Sequence, residues 1–410
     1  MRHFLVAALL AATAHSWISV SVVQYGAVGD NATDCTSAFR AAFAAVNAAG
    51  GGEVVVPAGV FQTGPFNISS NTCFTVEGTV FGVSNASAFY PVATPPSYTS
   101  SFPPWRHHPF VWVISDVQPT TNVTIRGSGV LNGGGPFWWT GKEAHADTRP
   151  HLLELHNVTG VEVTGVTLHN SPFWTFRPIY CTNVWIHDMR IEETYGAGDN
   201  TDGIDIDSSQ NVVVERNHIS CGDDHFTVLA GAGASGLAVG IPSRNVTIRD
   251  NVLGEGMGMS IGSSVSGGVE DVVYQRNVMT EGRYVNQSTY GRWGQGAHIK
   301  TRVSYGGFIR NIAYLDNYVF SASTNGIVVE VSAPPSSLPR KRVPISFLTT
   351  TPAPPHTLRR RITSLEGTAP PKRALRSATL FFVTTQWASL GREVGMGTPG
   401  TLGASRSARA

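Results

Sequence analysis

A short apolar unit recurs along the middle of the chain, and it leaves few folds open. Each copy is a polar turn, an alternation of apolar residues and a second polar patch. The copies are Gly160-Val161-Glu162-Val163, Asn183-Val184-Trp185-Ile186, Asn211-Val212-Val213-Val214, Asn245-Val246-Thr247-Ile248, Asp271-Val272-Val273-Tyr274 and Asn311-Ile312-Ala313-Tyr314. Their first apolar residues stand at 161, 184, 212, 246, 272 and 312, in steps of 23, 28, 34, 26 and 40. A base period in the twenties with loop insertions is what a solenoid of strands produces. One unit cannot bury its own apolar face, whereas stacked units bury a continuous core with parallel strands about 4.8 Å apart from coil to coil. The 44 glycines and a charged fraction of only 14% fit many short strands joined by Gly and Asn turns better than long helices. The expected class is therefore all-β, a parallel β-helix.

The two ends read differently. Apolar residues recur at helical spacing from Ala38 to Ala48 and stop at Gly50-Gly51-Gly52, which predicts a short N-terminal helix capping the open first coil. Before it, Arg2 and His3, the apolar run Phe4 to Ala12 and the small residues Ala12-Thr13-Ala14 read as a signal peptide over residues 1–16, too short to span a membrane. The solenoid is expected over 17–331. From 332 to 410 the strand period is lost and Pro334-Pro335, Arg340-Lys341-Arg342, Arg359-Arg360-Arg361 and Pro370-Pro371 follow. This segment reads as a disordered basic tail, with an interaction tail and a misread gene end as alternatives. Residues 340–410 hold 12 of the 29 Lys+Arg and 2 of the 28 Asp+Glu, leaving 17 basic and 26 acidic residues before them. A body this acidic is a poor partner for nucleic acid.

Cys35, Cys73, Cys181 and Cys221 lack zinc-site spacing and suit an oxidising compartment, with three disulfide pairings open. Asn31, Asn67, Asn85, Asn122, Asn157, Asn245 and Asn286 lie in N-x-S/T sequons. Of these, Asn122, Asn157 and Asn245 serve equally well as turn asparagines. The reading is a secreted protein, extracellular or in a cell wall, with no membrane attachment.

Two aspartate clusters carry the chemistry. Asn200-Thr201-Asp202 opens the stretch N-T-D-G-I-D-I-D, and Cys221-Gly222-Asp223-Asp224 follows. Asp202 and Asp223 are 21 residues apart, about one coil, which can place them on neighbouring coils of one face. Adjacent carboxylates push their pKa values apart, so one can act as an acid while another acts as a base, as glycosidic cleavage requires. Either cluster alone could fill turns or bind calcium. Asp205 and Asp207 are read as strand or turn residues.

With Gly256-Met257-Gly258-Met259-Ser260-Ile261-Gly262-Ser263 and His298-Ile299-Lys300 in the same order and spacing, the chain resembles the polygalacturonases of glycoside hydrolase family 28 from about Val23 to Val331. Ser266-Gly267-Gly268 and His298-Ile299-Lys300-Thr301 resemble the plant-type branch. The resemblance implies a right-handed β-helix and inverting hydrolysis of α-1,4-linked galacturonan without metal or other cofactor, by a monomer whose partner is an acidic pectic polysaccharide. It implies Asp223 as general acid, Asp202 and Asp224 as activators of the water, and Lys300 as a holder of the substrate carboxylate. Asn200 and His298 are further substrate-binding candidates. The chain departs from the family in having Met257 within Gly-x-Gly where a histidine is usual, and His298 where arginine is usual. Carboxylate neighbours on this face are expected to favour the charged form of His298, so that its grip on the substrate weakens as pH rises through neutrality. Two rivals are a calcium-dependent lyase with an arginine base, and an inactive β-helix that only binds wall polysaccharide, a reading to which Met257 gives weight.

Overall fold

The computed structural model describes residues 17–332, except 115–118, 141–147, 194–197, 281–294, 303 and 320–324, together with 345–349, 378–383, 386 and 387. The segment read as a signal peptide, Asn286 and most of the basic tail lie outside these residues.

The chain winds through three long parallel sheets of twelve, eleven and nine strands. One coil shows the pattern. Thr182–His187 lies in the first sheet, Arg190–Glu192 in the second and Ile204–Asp207 in the third, and Gln210–Glu215 returns to the first sheet beside Thr182–His187. Parallel crossovers of this kind wind right-handed, and the architecture is a right-handed parallel β-helix.

The repeat explains the register. Val161, Val184, Val212, Val246, Val272 and Ile312 pair in succession across the first sheet and are all buried. They form one column of the interior, so the uneven steps of the sequence are differences in loop length between coils. The polar residue before each apolar one turns the chain. Asn183, Asn211, Asn245, Asp271 and Asn311 have φ between 54° and 60°, the left-handed region that Asn and Asp tolerate better than other side chains. Their side chains bond from coil to coil, with Asn211 Nδ2 donating to Asn183 Oδ1 at 3.0 Å and Asn245 Nδ2 to Asn211 Oδ1 at 2.8 Å. A second, buried ladder joins Asn217, Asn251, Asn277 and Asn317. Each of its inter-coil amides leaves no buried polar group unsatisfied at the corner.

Thr36–Ala48 is the capping helix. It buries Ala38, Phe39, Ala42, Phe43 and Val46 over the first coils, with Phe43 stacked on Phe66 at 5.1 Å between centroids. At the other end, Ala378–Val383 pairs with Ile309–Leu315, and Ile345–Thr349 pairs with Ala378–Val383. Three short strands, Gln386–Trp387 included, are thus what is described of the segment after 332. Among the described residues no helix is long and apolar enough to cross a membrane.

The cysteines correct one expectation. None of the four is in a disulfide, and all are buried thiols. Each has a local role instead. Cys181 donates to Leu155 O and Ile179 O, and Cys221 to Asp223 O and Asp224 O. Burial pushes the Cys181 thiol up to about 12, far from the thiolate needed for oxidation.

Candidate active site

Four consecutive strands of the third sheet, Ile204–Asp207, Phe226–Leu229, Met259–Ile261 and Gln295–Arg302, build the site. Ile204, Phe226, Met259 and Ala297 stand in register. The residues just before the first three of these strands therefore share one end of the sheet. The pairing of Ile204 with Phe226 sets a coil of 22 residues here, so the coil-mate of Asp202 is Asp224 rather than Asp223. Backbone bonds hold the turn: Gly203 N donates to Asp224 O at 2.9 Å and Met257 N to Asp223 O at 2.7 Å. A Cβ on Gly203 would meet His225 O at 2.5 Å, which accounts for glycine after Asp202.

The three carboxylates converge. One oxygen from each of Asp202, Asp223 and Asp224 lies within 4.8 Å of the other two. Lys300 Nζ donates to Asp224 Oδ2 at 2.6 Å, and Ser260 Oγ to Asp224 Oδ1 at 2.6 Å. Asp223 Oδ1 accepts from Asp224 N at 2.9 Å. Asp202 is buried, with Oδ2 3.5 Å from the Thr227 hydroxyl and no partner for Oδ1 among the described residues.

These surroundings separate the groups. Asp223 keeps a partly exposed edge, but burial of the rest and the charge of Asp224, opposed by Lys300, push its carboxyl up to about 7. Burial, then Asp223 and Asp205, hold Asp202 well above the usual carboxylate range. For Lys300, burial favours the neutral amine, but Asp224 and Asp223 outweigh it and raise the ammonium above its ordinary value. The triangle is of a size that a divalent cation could bridge. Its chemistry disfavours one, because Lys300 already neutralises one corner and the other two are poised to hold protons.

His298 corrects a second expectation. It pairs in register with Ser260 and is buried. Burial, then the Lys300 charge two residues on, pull its imidazole down to about 4, and the opposing pull of Asp224 is smaller. His298 is a neutral ring beside the carboxylates. Asn200 opens the turn into Asp202 with φ 63°. Lys300 reaches the triangle through its bond to Asp224, whereas His298, two positions earlier on the same strand, stands in register with Ser260.

The contributors Thr227, Ser260, His225, Tyr274 and Tyr314 were not singled out by sequence. Thr227 and Ser260 stand in one column of paired positions with Asp205 and His298. Ser260 was visible within Met259-Ser260-Ile261, but only the register shows that it meets Asp224. His225 fills the turn around Gly256: Gly258 N donates to its Nδ1 at 3.1 Å, and a Cβ on Gly256 would meet the ring at 2.5 Å. Tyr274 and Tyr314 stack inside the solenoid at 4.7 Å and donate to Ser260 O and Met259 O, bracing the strand from below. Asp207 is structural as read, accepting from Arg177 Nη2 at 2.6 Å and Tyr98 Oη at 2.7 Å.

A family model described as Glycosyl hydrolases family 28 matches residues 48–350. Over 305 residues the chain is 32% identical to a probable polygalacturonase of Vitis vinifera, covering 72% of this chain and 59% of that protein. Over 333 residues it is 28% identical to a polygalacturonase of Cryptomeria japonica, covering 77% of this chain and 56% of that protein. The chain thus spans less than two thirds of the length of these relatives. A hyperthermoactive exopolygalacturonase from Thermotoga maritima shares its structure with a TM-score of 0.68 at 28% identity, covering 81% of this chain and 80% of that one.

Proposed function

Because the chain belongs to glycosyl hydrolases family 28, we propose that it hydrolyses α-1,4-linked galacturonan, with Asp223 as general acid and Asp202 and Asp224 as activators of the attacking water. The observation that carries this reading is one carboxyl poised near neutrality within 4.8 Å of two others, one of them ion-paired. A carboxyl with a pKa near 7 holds its proton under mildly acidic conditions and can release it to the glycosidic oxygen. Asp224, held by Lys300 and Ser260, is the group best placed to accept a proton from water, with Asp202 orienting that water. The Lys300 side chain stays 27% exposed, so it can meet a substrate carboxylate while bound to Asp224.

Incubation of the purified protein with polygalacturonate, following reducing ends and product lengths, tests the activity. Saturated products are expected, and the absence of any reducing-end release overturns it. Inversion is part of the proposal. The nearest carboxylate oxygens lie closer than the roughly 6.5–9.5 Å between carboxyl groups usual for inverting pairs, so spacing argues against it and the family resemblance argues for it. NMR of the first anomer released decides.

A binding protein without turnover is favoured by one observation, Met257 at the family's histidine position. Met257 holds Asp223 through its backbone amide, a role that its side chain does not change, and this supports the hydrolase. The protein is further proposed to be a secreted monomer acting on wall pectin, which the mass and N-terminus of the exported protein test.

A further inference from the structure

The first sheet, which carries none of the three site aspartates, bears a cleft of about 520 Å³ lined by Trp17, Asn122, Thr124, Gly160, Glu162 and Trp185 among others. It crosses the strands from Thr72–Val76 to Thr182–His187, three inter-strand spacings or roughly 14 Å.

Two features make it more than a gap between coils. The first is a fixed aromatic platform. Trp185 lies on His187 with ring centroids 3.7 Å apart, its Nε1 donates to Glu215 Oε1 at 3.1 Å, and it remains 40% exposed. Trp17, 64% exposed, flanks the same cleft. A tryptophan held this way presents a flat apolar face without losing further side-chain freedom on binding.

The second feature is a break in the asparagine ladder. Asn122 Nδ2 donates to Asn71 Oδ1, and Asn211 Nδ2 donates to Asn183 Oδ1. Between Asn122 and Asn183 the register places Gly160, which has no side chain to bridge them. The break leaves Asn122 Oδ1 and Asn183 Nδ2 without a ladder partner among the described residues, on either side of Gly160. A donor and an acceptor two coils apart, beside an aromatic face, suit the hydroxyl groups of a sugar chain.

We propose that this cleft binds a neutral, β-1,4-linked glycan of the glucan type. The equatorial hydroxyls of such a ribbon leave flat C–H faces to lie on indole and polar edges to reach the amides. Charge selects against a uronate. Glu162 is the charged residue among the described lining residues, and its carboxylate repels a polyanion. The site would tether the protein to a neutral polymer on a face separate from the carboxylates, and it does not depend on the hydrolase reading.

The test uses the secreted chain made without N-glycosylation, because Asn122 is itself a sequon asparagine. Cellohexaose and hexagalacturonate are titrated by calorimetry into wild type, Trp185→Ala and Gly160→Asn. The last variant rebuilds the ladder. Neighbouring rungs hold asparagine at positive φ, Gly160 has φ 78°, and a Cβ there meets Asn122 Oδ1 at 3.4 Å and Asn122 N at 3.9 Å, both ordinary contacts. It is expected to unfold no earlier than wild type. Cellohexaose is expected to bind wild type and to bind each variant about tenfold or more weakly, with galacturonan turnover unchanged. The proposal is overturned by any of three results: no cellohexaose binding to wild type, equal binding to the Gly160→Asn variant, or hexagalacturonate competing for the Trp185 site. A concentration-dependent increase in mass that Trp185→Ala abolishes would make the cleft a self-association surface and overturn it as well.

Discussion

Lys300 Nζ lies 2.6 Å from Asp224 Oδ2, although the two residues come from strands separated by a whole intervening coil. This contact neutralises one corner of the carboxylate triangle and lowers the proton affinity of the other two. Lys300→Gln is expected to cost about 10²-fold or more in turnover and to move the alkaline limb of the kcat profile to higher pH, because Asp223 then holds its proton longer. Lys300→Arg should restore part of both. An unchanged pH profile in Lys300→Gln would mean that the lysine only braces the fold.

Asp223→Asn removes the transferable proton but keeps the shape. Turnover is expected to fall about 10²–10⁴-fold with the thermal transition intact at acidic pH. In wild type the active form is the protonated one, so kcat should decline as pH rises through about 7. Near-normal rates for the asparagine variant would remove Asp223 from the acid role.

The same group makes stability depend on pH. Its pKa is about 7 in the folded chain against an ordinary 3.8. The folded protein therefore keeps a proton that the unfolded chain gives up between these values. The contribution is fully present below about 3.8 and is lost as pH rises through 7. Asp223→Asn should match wild type in urea unfolding at acidic pH and exceed it above neutrality. A stability difference that is the same at both ends would contradict the shift.

His298 is neutral above a pKa of about 4, so it cannot supply a charge-dependent grip on a polyanion at pH 5 to 7. The Michaelis constant is expected to stay flat over that range in wild type and in His298→Gln, measured separately from kcat. A constant that climbs with pH, and that His298→Arg flattens, would show that the imidazole is cationic after all.

The four cysteines should each take one alkylating label after denaturation without reductant, as free thiols. The native protein should resist the same reagent, because all four are buried. Mass spectrometry reads both. Fewer than four labels before reduction would reveal a disulfide.

By itself the sequence determined the coil. Alternating apolar residues at Val161, Val184, Val212, Val246, Val272 and Ile312 can be buried together only by stacking, and asparagine before most of them supplies the left-handed turn. The helical spacing from Ala38 to Ala48 likewise produced the cap. Both are local patterns, and local patterns survive without knowledge of neighbours. The motif spacing also brought the aspartates to one end of one sheet. What only the tertiary structure decided was each group's surroundings. Register made Asp224, not Asp223, the coil-mate of Asp202. Lys300 reached Asp224 across two coils, and its charge with burial turned His298 neutral where sequence proximity to carboxylates argued the reverse. The cysteines, evenly matched in number for pairing, each settled as a buried thiol. Desolvation and pair distances depend on residues remote in the chain, and they set charge and bonding more strongly than a residue's own type does.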